Sequence, residues 1–453
     1  MSQLNDNLRK ARGSIVFLIG ITLAFGTVFG LEKWKPKRAK MMTAASIVEI
    51  DSDAGIPLRK QRRLSKQELQ MAKTAWKYFE NNTQDNGLVN SVHNYTAATL
   101  WDTASYLLAL ISAYELELIP RNDFEKRSRQ VLETLAVLPL FEDKLPNKSY
   151  STLSASMTTY TNQHTERGVG WSAIDIGRIM VPFNVYVWRY PEFTPLVENV
   201  LLQWQLDALV KDAELVGADV DEHGNTLYLQ EGRLGYEEYA AKSLQLNGID
   251  LTEALDYSRY FEYVNIDGVR VGTDLRTPDQ FDALNFVVSE PYVLDGLEFG
   301  WDRYSKSLSY RVYQAQEARY NKTGTLTAVS EDNIDQAPYF VYNTVFADGK
   351  AWNAVTEKGE DASEFRSLSS KASIGLYALY DTDYTEKLFD RVSDNFSSDN
   401  GWYAGIYEAS GKSNKALTAN TNAIVLEALR YIQLGPMIQI GRSASTQKTS
   451  PEG

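Results

Sequence analysis

Three stretches of this chain combine helical spacing with apolar residues on every face, and nothing else in the sequence constrains the fold as tightly. Thr99 to Leu118 (TLWDTASYLLALISAYELEL) sets Leu100, Ala104, Leu107, Leu108, Ile111 and Leu118 on one stripe, and its opposite face carries Trp101, Ser105 and Ala109. Gly170 to Trp188 (GWSAIDIGRIMVPFNVYVW) and Thr418 to Leu434 (TANTNAIVLEALRYIQL) behave alike. A helix of this kind must be covered all round. Phe124 to Leu138 and Leu196 to Val210 are more amphipathic, with the charged faces expected of an outer layer. A weak repeat links these pieces. Thr99-Leu-Trp-Asp102 and Ser172-Ala-Ile-Asp175 open two of the apolar helices alike, Thr418 opens the third, and the turns Asp85-Asn86-Gly87 and Asp399-Asn400-Gly401 match. Hairpins of a buried inner and an amphipathic outer helix are unstable singly, so they stack, and a closed stack is an all-α toroid. Six hairpins fit 64–435, predicting an (α/α)6 toroid with short β ribbons near the mouth of its cleft.

Where this body begins is marked by Ser65-Lys66-Gln67-Glu68, a capping-box pattern followed by Leu69, Ala72, Trp76 and Phe79 at helical spacing. Ahead of it, Gly13 to Leu31 is 19 residues without a charge, long enough to span a bilayer. A cleaved signal peptide is the alternative, but the run exceeds a usual signal core and no small-x-small site directly follows it. The expected organisation is a cytoplasmic basic N-terminus (1–12), one N-terminal transmembrane helix (13–31), a tether or strap (32–63), the toroid (64–436) and a polar, disordered tail (437–453). Arg9, Lys10 and Arg12 precede the span, whereas Lys33, Lys35, Lys37, Arg38 and Lys40 follow it, so the charge count favours a body inside the cell.

Composition removes several function classes. The chain contains no cysteine and only His93, His164 and His223, so disulfides and thiolate zinc sites are excluded and no metal or cofactor is expected. Residues 1–63 carry a net charge of +7 and residues 64–453 one of −20, and an acidic body repels phosphate backbones, so no nucleic-acid partner is expected. Gly405 to Ser413 mimics a phosphate loop with one residue too many between its glycines, and Gly168 to Ala173 mimics a dinucleotide fingerprint without a preceding strand. Asp219 to Gly224 starts like a calcium loop, but His223 replaces an oxygen ligand and Gln230 stands where the bidentate Glu belongs.

The segments TLWDTASYLLALISAYELELI, GWSAIDIGRIM, SEDNIDQAPYFVYNT and GWYAGIYEASGKSNKALTANTNAIVLEAL resemble a family of bacterial membrane-anchored proteins of uncharacterised function, itself distantly like the (α/α)6-toroid, glucoamylase-like glycoside hydrolases. The resemblance implies a single-pass protein of the bacterial inner membrane with its main domain in the periplasm, against the charge count. It also implies an oligo- or polysaccharide ligand, such as a glucan or exopolysaccharide. A glycoside hydrolase-like enzyme is one reading. A non-catalytic glycan-binding or scaffolding subunit of a membrane glycan-synthesis or export complex is a second, and a purely structural membrane-bound repeat protein a third.

Glycoside hydrolysis needs one protonated and one ionised carboxyl on either side of the scissile bond. Carboxylates near aromatic and small residues at helix starts or loops are the candidates: Asp102, Asp175, Glu290 and Glu331, with Glu237, Glu238 and Asp332 behind them. Helix capping alone would account for Asp102 and Asp175. Helix N-termini stabilise anions, which predicts that these two stay ionised as base or nucleophile and leaves Glu290, beside Tyr292, as the acid. Candidate sugar platforms and hydroxyl-binding groups are Trp101, Trp171, Arg178, Tyr292, Tyr339, Trp402, Tyr403, Asn420 and Asn422.

Overall fold

A computed structural model describes residues 48–52, 55–277, 281 and 284–439. The expected basic N-terminus, the span at 13–31 and most of the tail lie outside the described residues. Among those described, no helix is long and apolar enough to cross a membrane.

Six inner helices form a closed ring: α2 (Leu100–Glu115), α4 (Ala173–Arg189), α6 (Tyr236–Gln245), α7 (Glu290–Phe299), α9 (Ser370–Leu379) and α11 (Ala419–Leu434). Each packs on the next, and α11 closes the ring against α2. The stretches expected to be apolar on every face are the inner members α2, α4 and α11, and they are buried almost throughout. Close approach depends on a missing side chain at Gly177, where any Cβ would collide with Ala240 on α6. Outside the ring lie α1 (Lys66–Asn82), α3 (Arg121–Leu135), α5 (Thr194–Leu201), α8 (Arg303–Thr323) and α10 (Asp383–Val392). The two stretches expected in this layer supply α3 and α5, although the second stops being helical before Val210, which enters a short strand.

Chemistry at the helix starts orients the ring. Thr99, Ser172, Ser369 and Thr418 each accept a backbone N–H from the first turn of α2, α4, α9 and α11, satisfying donors that the helix itself cannot. All six inner helices begin on one face, where their first turns surround one cleft. The opposite face is sealed by the strap and the C-terminal segment. Leu58 bridges to Tyr380, Arg62 N–H donates to the Ile432 carbonyl, and Met437 and Ile438 N–H donate to the carbonyls of Leu297 and Glu298. Met437 and Ile438 are buried, so the packed body runs past the boundary expected at 436.

Short antiparallel ribbons rim the cleft. One is the hairpin Glu214–Val220 with Thr226–Gln230, another the sheet of Glu331–Asn333, Phe340–Asn343 and Ala354–Val355. The calcium-like segment is the turn of the first hairpin, and Asp221 spends its carboxylate on the N–H groups of His223 and Asn225. The phosphate-loop mimic is a hairpin too, pairing Gly401–Tyr407 with Ser413–Leu417.

Candidate active site

The cleft has a volume of about 680 Å³ and receives side chains from all six inner helices. Asp102 and Asp175 stand at the third positions of α2 and α4, where capping places them. Asp102 accepts from Thr99 N–H at 3.2 Å and from its hydroxyl at 2.9 Å, closing a capping box. Asp175 is held by the Ser172 hydroxyl at 3.2 Å. Both remain half-buried and face the cleft, so capping and access to a ligand coexist.

Glu231, at the end of the rim hairpin, caps α4 as well. Its carboxylate accepts from the Ser172 hydroxyl and from Ala173 N–H, each at 2.6 Å. The hairpin comes this close because Gly170, at φ 112°, lies against the Ala218 carbonyl where no Cβ fits.

The charge of Asp175 is therefore poorly supported. Burial first, then the charges of Glu231 and Asp102, push its pKa up to about 7. Burial first, opposed by the Thr99 bonds and then assisted by Glu290, pushes Asp102 up to about 6. Burial thus works against the ionised pair expected here, more at Asp175 than at Asp102, because a helix N-terminus contributes about 0.5 kcal/mol to an anion, less than one pKa unit.

Glu290 is placed differently from the acid expected there. It is 3% exposed, its Oε2 touches the Lys371 ammonium, and its Oε1 accepts from Asn420 Nδ2 at 2.8 Å. Both oxygens are occupied by donors, which suits a fixed anion rather than a proton donor. Tyr292, chosen as its drying neighbour, is buried in a second cluster with Phe261 and Leu308, away from the cleft. Glu331 lines the cleft half-buried with the Ser330 hydroxyl at 3.3 Å. Burial raises its pKa, against which Lys371 acts. Asp332 beside it is 2% exposed, and neither oxygen accepts a hydrogen bond. The Lys371 ammonium lies 3.6 Å from it, and burial, opposed by Lys371, pushes Asp332 up to about 7.

Among the expected sugar-contacting residues, Trp101 and Asn420 line the cleft. Trp101 packs edge-on against Tyr236 at 5.7 Å, with the Arg178 guanidinium 5.0 Å from its ring. Arg178 does not reach the cleft: it is fully buried, ion-paired with Glu298 and 3.5 Å from Glu427. Trp171 contributes to the lining yet is fully buried, its indole N–H donating to the Val216 carbonyl at 3.0 Å. Trp402 is core, and Asn422 is spent holding the Trp402 N–H at 2.7 Å. Tyr403 is half-buried against the core, and Tyr339 is exposed outside the lining. Glu237 pairs with Arg276, and Glu238 caps the Gly235 N–H.

Residues that sequence reasoning missed complete the site: Glu231, Lys371, Arg233, Tyr236 and the parallel pair Phe286 and Tyr342, whose centroids lie 3.9 Å apart. Only Lys371 left a signal, as the lone charge in the otherwise uncharged helix SKASIGLYAL.

Solved structures with the same fold carry the comparison further. A glucoamylase-like protein from Bacteroides uniformis superposes with a TM-score of 0.60 at 10% identity, covering 83% of this chain and 94% of its own. The endo-β-1,2-glucanase of Chitinophaga pinensis, solved with sophorotriose and glucose, gives 0.58 at 10% identity over 83% and 94%. That of Talaromyces funiculosus, solved with sophorose, gives 0.56 at 12% identity over 82% and 84%. The ring of inner helices is thus the glucoamylase-like (α/α)6 toroid. No curated protein matches the chain in sequence. A family defined by sequence matches residues 70–435, and by that match the chain belongs to the protein family of unknown function DUF3131.

Proposed function

We propose that this protein is a glycoside hydrolase-like enzyme acting on a bacterial glucan or exopolysaccharide, tethered by 13–31 to the inner membrane with its body in the periplasm. One observation carries the reading: the first turns of all six inner helices surround a single cleft in which carboxylates with raised pKa stand beside aromatic faces. Asp175, at about 7, is poised to give a proton to the leaving oxygen at neutral pH. Glu331, with Lys371 favouring its anion, is the partner that attacks the sugar or activates water. Trp101 and Tyr236, and across the rim Phe286 and Tyr342, offer apolar surfaces to sugar rings.

The test is incubation of the protein with a panel of bacterial glucans, followed by product analysis and binding measurements. New reducing ends support the hydrolase. Binding without cleavage replaces it with the glycan-binding subunit of a synthesis or export complex. For the compartment, a reporter active only in the periplasm, fused after Gly435, should be active, whereas activity of a cytoplasmic reporter alone would remove the periplasmic placement.

A further inference from the structure

One hydroxyl at the start of α4 stands between two carboxylates. Ser172 Oγ lies 2.6 Å from Glu231 Oε1 and 3.2 Å from Asp175 Oδ1, and all three side chains line the cleft. A serine hydroxyl has one proton to give and two lone pairs with which to receive. The shorter contact takes the proton, so Glu231 accepts it. One lone pair of Oγ accepts the Asp175 backbone N–H at 3.1 Å. The other faces Asp175 Oδ1, and two facing lone pairs repel unless a proton lies between them. Asp175 is the group that can supply it. Glu231 is arranged as the anion of the pair, its Oε1 accepting from the Ser172 hydroxyl and its Oε2 from Ala173 N–H at 2.6 Å. Burial raises the pKa of Glu231, and these two donors and the Lys148 charge act against that rise. The backbone holds the arrangement closely, because a Cβ at Gly217 on the rim hairpin would run into the Glu231 carboxylate.

We propose that Glu231 is a positioning residue that, through the single proton of the Ser172 hydroxyl, keeps Asp175 protonated and hydrogen-bonded as the proton donor of the cleft. The role rests on the hydrolase reading above and adds to it the group that maintains the donor. Glu231 need not touch the sugar, because it acts through Ser172 and through its own charge. The titratable groups facing Asp175 are Glu231 from the hairpin, Asp102 from α2 and the phenol of Tyr160, and none of the three brings a positive charge. Once Asp175 has given its proton to the leaving oxygen, two anions share one hydroxyl. That state favours the return of a proton from solvent to Asp175.

The first readout needs no glycan. In the full chain, isotope-labelled at its aspartate carboxyls, NMR follows the titration of Asp175, identified as the signal that Asp175→Asn lacks. The midpoint should lie near 7 in wild type. It should lie about one pH unit lower in Glu231→Gln, which removes a charge and lets the hydroxyl turn its proton to Asp175. Ser172→Ala keeps the charge of Glu231 but removes the acceptor of the Asp175 proton, so its midpoint should also fall. An unmoved midpoint in Glu231→Gln, or a rise in Ser172→Ala, would overturn the proposal. The second readout is cleavage of the panel glucan that wild type cleaves. Glu231→Gln should be about tenfold slower at pH 8 and much closer to wild type at pH 5. An equal loss at every pH would overturn the positioning role. Shifted midpoints in a chain that cleaves no glucan would leave the proton arrangement standing and overturn the hydrolase reading.

Discussion

Lys371 and Glu290 meet across the seam between α9 and α7 as the first charged side chains of two neighbouring inner helices, and each is less than 5% exposed. Their contact fixes the relative height of two helix starts that frame the cleft. Lys371 also lies 3.6 Å from Asp332, so its charge serves two anions. Removing the lysine strands both, whereas neutralising Glu290 leaves the ammonium one partner. Lys371→Met should therefore cost about 3 kcal/mol or more, and Glu290→Gln clearly less. Chemical denaturation of both variants checks the order, and equal losses would show that the second anion is not coupled to Lys371.

Arg178, fully buried, faces the buried carboxylates of Glu298 and Glu427. Glu298 takes the direct ion pair and also the Tyr239 hydroxyl at 2.6 Å. Burial first, then the Glu298 charge, raise the pKa of Glu427 well above its ordinary value, against which Arg178 acts, and this favours its protonated form. Glu427→Gln, which mimics that protonated acid, should stay within about 1 kcal/mol of wild type, whereas Glu298→Gln should lose about 3 kcal/mol. Thermal unfolding at neutral pH separates them. The reverse ranking would put the proton on the other acid.

The raised pKa of Asp332 links stability to pH. Its unfolded value is about 4 and its folded value about 7. The native state therefore holds the proton more tightly, and the contribution of Asp332 is whole below about pH 4 and lost as pH rises through 7. Asp102 and Asp175 act in the same direction. Asp332→Asn should match wild type near pH 4 and exceed it by about 1–2 kcal/mol at pH 8. A variant less stable than wild type at pH 8 would contradict the assignment.

Much of the ring was legible in the sequence, because a helix apolar on every face can only be an inner one. Thr99 and Ser172 also announced Asp102 and Asp175, since a capping residue dictates what sits three positions on. The rest of the site depends on convergence. Glu231 reaches α4 from a hairpin 58 residues away, and Lys371 meets Glu290 from another helix. Neighbours in sequence misled where a strand or helix turns adjacent side chains to opposite sides: Trp402 is buried although Tyr403 is only half so, and Tyr292 faces away from the cleft that Glu290 lines. Burial raises the pKa of Asp102 and Asp175 where the helix terminus alone would lower it, an energetic balance that residue spacing does not reveal.

The central claim is that the cleft cleaves a glycan with Asp175 as its proton donor. The measurement is product release and binding for wild type and Asp175→Asn on whichever oligosaccharide wild type binds, across pH 5 to 9. Wild-type cleavage should fall as pH rises through about 7, and Asp175→Asn should bind the same oligosaccharide while losing at least about a hundredfold in rate. A variant that cleaves as fast as wild type, with the same pH profile, would contradict the account.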